Sequence, residues 1–198
     1  MNFSGLTKSR ILVLLLALCA MPLHSLQSQV VRIDCNAYCS MYDIDTMCPR
    51  QVQWTLHATD MGKAIRMPGW KFTNDVIPAA ANLLHADYNH SGYDRGHLCP
   101  AKDRSKSAKL MRSTFAMSNC APQVPALNRG TWKETENSCR IAALLYDSVC
   151  VLVMPVFLNR DTITIGEHGM RVPHAFFKAA WVADTDSVIY SWFIFNHE

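Results

Sequence analysis

The stretch Asp94–Leu98, DRGHL, places one glycine between an arginine and a histidine. Residues two apart on a β-strand face the same side, so Arg95 and His97 would project together. A guanidinium binds phosphate oxygens, and a neutral imidazole accepts a proton from water. A nearby cation also lowers the pKa of a histidine and keeps it neutral. The pair therefore predicts chemistry on a phosphodiester, although a histidine in a loop is commonly only a polar surface residue.

A second set of polar residues follows in the segment SNCAPQVPALNRGTWKETE. On a helix that begins at Asn128, Trp132 and Glu136 follow four and eight residues later. The three residues then span an arc of about 80° around the helix axis and form one stripe. An amide oxygen and a carboxylate on one stripe can hold a hydrated Mg²⁺, which needs few protein ligands. The same residues also fit a helix with Asn128 as its N-cap and a solvated Glu136.

Together these residues resemble the DNA/RNA non-specific endonuclease family, the ββα-metal nucleases with a DRGH motif. The resemblance covers about Trp54 to the C-terminus and includes the spacing from Asn119 to Asn128 to Glu136. Its other motifs are Asp87-Tyr88, Ser91–Leu98, Pro100-Ala101, Asn119–Gln123, Leu127–Trp132, Val151–Phe157 and Val172–Lys178. The sequence departs from the family at Cys99, where alanine is usual, at Cys120, where another residue is usual, and at Met154, where glycine is common.

The resemblance implies a division of roles at one metal-assisted site. His97 would be the general base that activates water for in-line attack on phosphorus. Asn128 would be the sole direct protein ligand of one Mg²⁺, with Mn²⁺ or another divalent cation as an alternative. Glu136 would hold the metal through water, and Asn119 would orient the site. The resemblance thus implies an endonuclease that hydrolyses phosphodiester bonds of DNA and RNA, and the alternative is a catalytically silent nucleic-acid-binding protein on the same scaffold.

The charge distribution agrees with a nucleic-acid substrate. From residue 95 to residue 133 the chain has eight basic residues and one acidic residue, in a protein of net charge +3. Such an excess favours an anionic partner, although a solvated basic surface fits it as well. The resemblance implies DNA and RNA as substrates, bound mainly through phosphates, which carry no sequence information. The residues expected to bind them are Arg66, Arg95, Lys102 and Arg129.

Cysteines are frequent, with eight in 198 residues. Because Cys99 and Cys120 should flank the site on neighbouring strands, a Cys99–Cys120 disulfide is predicted, although strand alternation opposes it. A Cys139–Cys150 disulfide is predicted between the long helix and the next strand. Two alternatives use the thiols differently: a Cys/His hydrolase with Cys99 or Cys120 as nucleophile, and a zinc site at Cys35, Cys39 and Cys48.

The N-terminus predicts export. Lys8 and Arg10 precede the short apolar run Ile11–Ala20, which is typical of a secretory signal and too short to span a membrane. No other apolar run is long enough to cross a bilayer. The expectation is a secreted or periplasmic protein, with lipid anchoring at Cys19 as the alternative.

The elements that position these residues predict an α+β fold, and the resemblance implies a ββα-metal nuclease fold with a central, mainly antiparallel sheet and packed helices. Residues 1–28 are expected to be the signal, 29–50 an irregular, cysteine-containing N-terminal arm, and 51–198 the endonuclease domain. The pattern predicts strands over Gln51–Ala58, Phe115–Asn119, Val149–Phe157, Phe176–Ala183 and Val188–Phe195, and helices over Ala101–Arg112 and Asn128–Tyr146. The oligomeric state does not follow from the sequence.

Overall fold

The computed structural model describes residues 29–73, 85–158, 162–185 and 187–197. Six strands form its main sheet: β1 (Val30–Asp34), β2 (Cys39–Asp43), β3 (Cys48–His57), β6 (Ser148–Val156), β9 (Ala175–Val182) and β10 (Val188–Phe195). They lie in the order β1-β2-β3-β6-β9-β10, and every neighbouring pair is antiparallel. The remaining strands form two pairs, β4 (Asp94–His97) with β5 (Cys120–Gln123) and β7 (Thr164–Ile165) with β8 (Met170–Arg171).

In the part of the chain that the structure describes, three α-helices accompany the sheet: α1 (Ala108–Ser113), α2 (Pro125–Arg129) and α3 (Thr131–Tyr146). Short 3-10 turns cover Ala58–Asp60, His85–Tyr88, Ala101–Arg104 and Met117–Asn119. The predicted α+β class and the predicted strands over β3, β6, β9 and β10 are confirmed. The strand predicted over Phe115–Asn119 is wrong, because a 3-10 turn comes first and the strand begins at Cys120.

Helix α3 packs on one face of the sheet. Alternate residues of the central strands, such as Val52, Leu56 and Val151, are fully buried beneath it. The helix itself buries Trp132 and then the small residues Cys139, Ala142 and Ala143, which allow it to lie close to the strands. The sequence predicted instead that Ile141, Leu144 and Leu145 face the core; they are 55%, 65% and 72% exposed, so this prediction was wrong.

Two predicted helices are divided in the structure. The helix expected over Asn128–Tyr146 breaks at Gly130, which ends α2 and precedes α3. The helix expected over Ala101–Arg112 becomes a 3-10 turn followed by α1, whose N-cap Ser107 accepts a hydrogen bond from the Leu110 backbone at 3.1 Å. Strands β4 and β5 followed by α2 and α3 form the ββα unit that carries the predicted site.

The N-terminal arm is regular where the structure describes it. Its residues form β1, β2 and the start of β3, which extend the main sheet instead of the expected irregular segment. The predicted signal and Cys19 lie outside the described residues. Within the described ranges, no helix combines the length and the apolar character needed to cross a membrane.

Candidate active site

A cleft of about 610 Å³ opens beside strand β4 and the N-terminal half of helix α3. Two carboxylates, those of Asp94 and Glu136, line it together with the imidazole of His97. Its basic lining exceeds its acidic lining and comprises Arg66, Lys71, Arg95, Lys102, Lys133 and Arg140. A concave surface with this balance attracts polyanions.

His97 lies at the end of β4, where it pairs with Cys120 of β5. Its ring packs between Phe72, at 4.5 Å between ring centres, and Phe115, at 4.6 Å. Burial among these rings, and then the positive charge of Arg66, lower the pKa of His97 to about 3. Its Nε2 atom has no hydrogen-bond partner among the described residues. The imidazole is therefore neutral at pH 7 and able to accept a proton.

Two arginines line the cleft together with His97. The guanidinium of Arg66 lies 4.8 Å from the centre of the Phe115 ring. The guanidinium of Arg95 lies 5.1 Å from the centre of the Tyr88 ring and donates a hydrogen bond to Asn89 Oδ1 at 2.9 Å. Stacking on aromatic rings orients both cations, and a guanidinium has several N–H donors of the kind that bind phosphate.

Asn128 and Asp94 meet at the end of α2. The Asn128 Nδ2 atom donates a hydrogen bond to Asp94 Oδ2 at 2.9 Å, which leaves the amide oxygen available to a cation. Arg129 also binds Asp94, through two hydrogen bonds of 2.7 and 2.9 Å. Burial raises the pKa of Asp94, but its bonds to Arg129 and Asn128 outweigh burial, and the net shift is downward. Asp94 therefore stays ionised and fixes the Asn128 amide.

Glu136 enters the cleft from α3, one turn before Arg140. Burial raises the pKa of Glu136, and the positive charge of Lys178 opposes that rise. Arg140 Nη2 lies 3.8 Å from Glu136 Oε2, and its Nη1 donates to Asp103 Oδ1 at 2.8 Å. The fully buried Asp103 thus anchors Arg140 beside Glu136. The sequence reasoning missed Arg140, although its position four residues after Glu136 was a signal for this pair.

The structure gives Asn119 a supporting position. Its fully buried side chain does not line the cleft; its Oδ1 accepts a hydrogen bond from the Cys99 backbone at 2.7 Å. Its Nδ2 donates to the carbonyls of Cys99 and Thr114, each at 2.9 Å. These bonds fix the backbone two residues after His97, and the orienting role of Asn119 stays a prediction.

Gly96, between Arg95 and His97 on β4, lies in close contact with the side chain of Gln123. A Cβ atom at this position would lie within 2.6 Å of three side-chain atoms of Gln123, which is itself fully buried. A side chain at position 96 would therefore force the side chain of Gln123 to move, and its burial leaves it little room to do so. Glycine between Arg95 and His97 avoids this contact.

The structure brings most of the predicted site residues into one cleft and leaves two, Asn119 and Arg129, outside its lining. The residues that line the cleft are Arg66, Arg95, His97, Lys102, Asn128 and Glu136. Arg129 does not line it; its side chain is 72% exposed and paired with Asp94. Its predicted contact with substrate would have to lie outside the cleft.

Neither predicted disulfide is formed; the seven described cysteines are all free thiols. The Cys99 thiol faces the carbonyl of Ala37 at 3.7 Å, whereas the Cys120 thiol faces the Tyr88 hydroxyl at 3.3 Å, in a different part of the core. Cys139 packs under α3, while Cys150 lies on the opposite face of β6 near the Thr55 hydroxyl. Both predictions were wrong because each pair of thiols points into different surroundings.

The donor set fits a hard, hydrated cation. An amide oxygen at Asn128 and a carboxylate at Glu136 are oxygen donors of the kind that Mg²⁺ accepts. Across the described ranges, no three His, Cys, Asp or Glu side chains are grouped so as to hold a metal. A cation in this cleft would therefore keep most of its water ligands.

The sequence is similar to that of a known family of proteins. The family model described as DNA/RNA non-specific endonuclease matches residues 20–198. Bovine "Endonuclease G, mitochondrial" is 39% identical over 114 residues, covering 53% of this chain. The "Mitochondrial nuclease" of Saccharomyces cerevisiae is 36% identical over 145 residues, covering 70% of the chain. The alignments span only 38% and 41% of those two relatives.

A solved structure gives the fold. The chain matches a structure titled "Crystal structure of the EndoG/EndoGI complex: Mechanism of EndoG inhibition" with a TM-score of 0.76 and 27% identity, over 84% of this chain and 74% of that one. The match confirms the predicted ββα-metal nuclease fold. The predicted secreted or periplasmic location is wrong, since the bovine and yeast relatives are both named mitochondrial.

Proposed function

The chain belongs to the DNA/RNA non-specific endonuclease family, and from that membership we propose that it is a Mg²⁺-dependent endonuclease that hydrolyses phosphodiester bonds of DNA and RNA. The observation that carries the proposal is the neutral imidazole of His97, whose Nε2 has no partner among the described residues, in a cleft with more cationic than acidic side chains. A neutral base beside guanidinium groups is suited to a phosphate substrate and has no other evident use in this fold.

The proposed mechanism assigns each step to a side chain of the cleft. Arg66 and Arg95 bind the phosphate and counter its charge, so that a water near His97 can approach phosphorus. His97 accepts a proton from this water, whose oxygen forms the new bond to phosphorus while the bond to the leaving oxygen breaks. Asn128 would hold a cation directly, and Glu136 would hold it through water. When bound, the cation would stabilise negative charge on the phosphate and on the leaving oxygen.

Broad substrate choice follows from the same lining. The cleft offers guanidinium and ammonium groups, which bind phosphates present in both DNA and RNA. Binding through phosphates also makes affinity fall steeply with salt concentration.

The direct test is digestion of plasmid DNA and of a structured RNA with and without Mg²⁺. We expect cleavage of both with the cation and none after EDTA treatment. Mn²⁺ in place of Mg²⁺ tests the choice of metal. Binding of both nucleic acids without cleavage, across several divalent cations, would contradict the enzyme and leave a nucleic-acid-binding protein on this scaffold.

The pKa of His97 gives a prediction about pH. Because the lowered pKa keeps the base neutral down to about pH 3, protonation of His97 should not limit the free enzyme at pH 5–8. Arg66→Ala removes the second cause of the shift, so the pKa of His97 should rise, yet stay below its ordinary value because burial remains. NMR titration of the histidine ring protons, assigned with His97→Gln, measures it. Arg129→Ala, which removes a charge already paired with Asp94, is the control. An unchanged pKa in Arg66→Ala would contradict the assignment.

A further inference from the structure

Lys178 is a charged residue inside the apolar strand β9, AFFKAAWV, and its side chain is fully buried. A buried ammonium is costly unless polar or aromatic groups surround it. Its Nζ donates a hydrogen bond to Thr135 Oγ1 at 3.1 Å and lies 4.6 Å from the centre of the Trp132 ring. Both partners stand in the first two turns of α3, so Lys178 joins the sheet to the start of this helix.

Trp132 extends this connection to the active-site strand. Its fully buried ring packs against Phe176, and its indole Nε1 donates a hydrogen bond to the carbonyl oxygen of His97 at 3.1 Å. The Thr135 hydroxyl donates to the carbonyl of Trp132 at 2.8 Å, which fixes the same turn. A continuous set of contacts therefore leads from the ammonium of Lys178 to the backbone of the proposed general base.

We propose that Lys178 is a positioning residue for His97 and acts through Trp132. The ammonium holds the indole ring and the turn that carries it, and the indole N–H holds the end of β4 where His97 projects into the cleft. A small displacement of a reacting group is enough to reduce a rate by about 100-fold. Contacts that hold His97 in place therefore affect turnover without touching substrate. The inference rests on the proposed function, in which His97 accepts the proton.

The test is a double-mutant cycle with Lys178→Met and Trp132→Phe. The first removes the ammonium at nearly constant volume, and the second keeps an aromatic ring but removes the N–H donor. We expect each to lower kcat by about 10-fold, the order of one lost hydrogen bond, with KM unchanged. Because both changes break one connection, the double variant should be no more than about 2-fold slower than the slower single variant. The proposal would be overturned if the fold-losses in kcat of the two single variants multiplied in the double variant. It would also be overturned if both single variants kept the wild-type kcat.

Two further measurements separate positioning from simple loss of structure. Trp181→Phe, on the opposite face of β9, is the matched control and should keep wild-type kcat. In the metal-free protein, hydrogen exchange of the Trp132 indole N–H should be faster in Lys178→Met than in wild type. Unchanged exchange would overturn the link from Lys178 to Trp132.

The outcomes also distinguish this proposal from the proposed function. If the wild-type protein cleaves nucleic acid and the variants do so equally well, only the positioning role fails. If the wild-type protein cleaves nothing, the proposed function fails, and indole exchange still tests the contact. Should Lys178→Met not fold, Thr135→Val removes the acceptor of the ammonium, and it should speed indole exchange; unchanged exchange in this variant would overturn the link.

Discussion

Replacing His97 with alanine should lower the rate of phosphodiester cleavage by a factor of about 100 to 10,000, the range that a positioned proton acceptor contributes. The reason is that His97 presents a neutral ring nitrogen in the cleft with Arg66 and Arg95, and this nitrogen has no partner in the part of the chain that the structure describes. The measurement is kcat on plasmid DNA at saturating Mg²⁺. His57→Ala, an exposed histidine outside the cleft, should cleave at the wild-type rate.

Binding separates the loss of the base from the loss of the fold. Because the cations of the cleft remain, His97→Ala should bind DNA with nearly wild-type affinity in low salt. Retained turnover within a few-fold of wild type would exclude His97 as the base. Loss of binding together with a lower unfolding temperature would show that the contacts of its ring with Phe72 and Phe115 support the fold.

Asn128→Ala should raise the Mg²⁺ concentration for half-maximal activity by more than about 100-fold, since even the outer partners of a bound metal contribute about 10- to 100-fold in affinity. The substitution removes the amide oxygen and also the hydrogen bond to Asp94. Titration of activity with Mg²⁺, and calorimetry of Mg²⁺ binding without nucleic acid, measure the effect. Asn36→Ala, an exposed asparagine between β1 and β2, is the control.

Two results would count against this role for Asn128. One is an unchanged Mg²⁺ requirement in Asn128→Ala. The other is a uniform loss of activity that no Mg²⁺ concentration restores while Mg²⁺ binding is intact. The first would place the cation elsewhere, and the second would give Asn128 a role in the arrangement of substrate.

Most of the predicted site residues line one cleft because their spacing along the chain is local, and their roles stay predictions. Two residues apart on a strand share a face, which sufficed to bring Arg95 and His97 into one cleft. Asn128 and Glu136 also reach that cleft, although Gly130 divides the predicted helix between them. The break at Gly130 changes the direction of the backbone, but the side chains of Asn128 and Glu136 still face the same cleft.

Predictions that depended on which face meets the core were less reliable. Helical spacing shows that Ile141, Leu144 and Leu145 lie on one stripe of α3, but it does not show which stripe meets the sheet. The smaller residues of α3 face the sheet, so this apolar stripe is exposed. The disulfides failed for a related reason, since pairing two cysteines requires the direction of each side chain. The sequence did not reveal the structural roles of Arg140 and Lys178. Their partners, Asp103 and Thr135, are far away in the sequence, so these contacts are visible only in the fold.

Helix α3 has a consequence for the way in which the protein loses activity on heating. It carries Glu136 and Arg140 into the cleft while Trp132 and Cys139 are buried in the main core. A segment anchored in this way opens with the cooperative unit of the whole domain, whereas loops open separately at a smaller free energy. We therefore expect the wall of the cleft that α3 forms to be among the last parts of the molecule to exchange its amide hydrogens, and any activity of the cleft should persist until the entire domain unfolds.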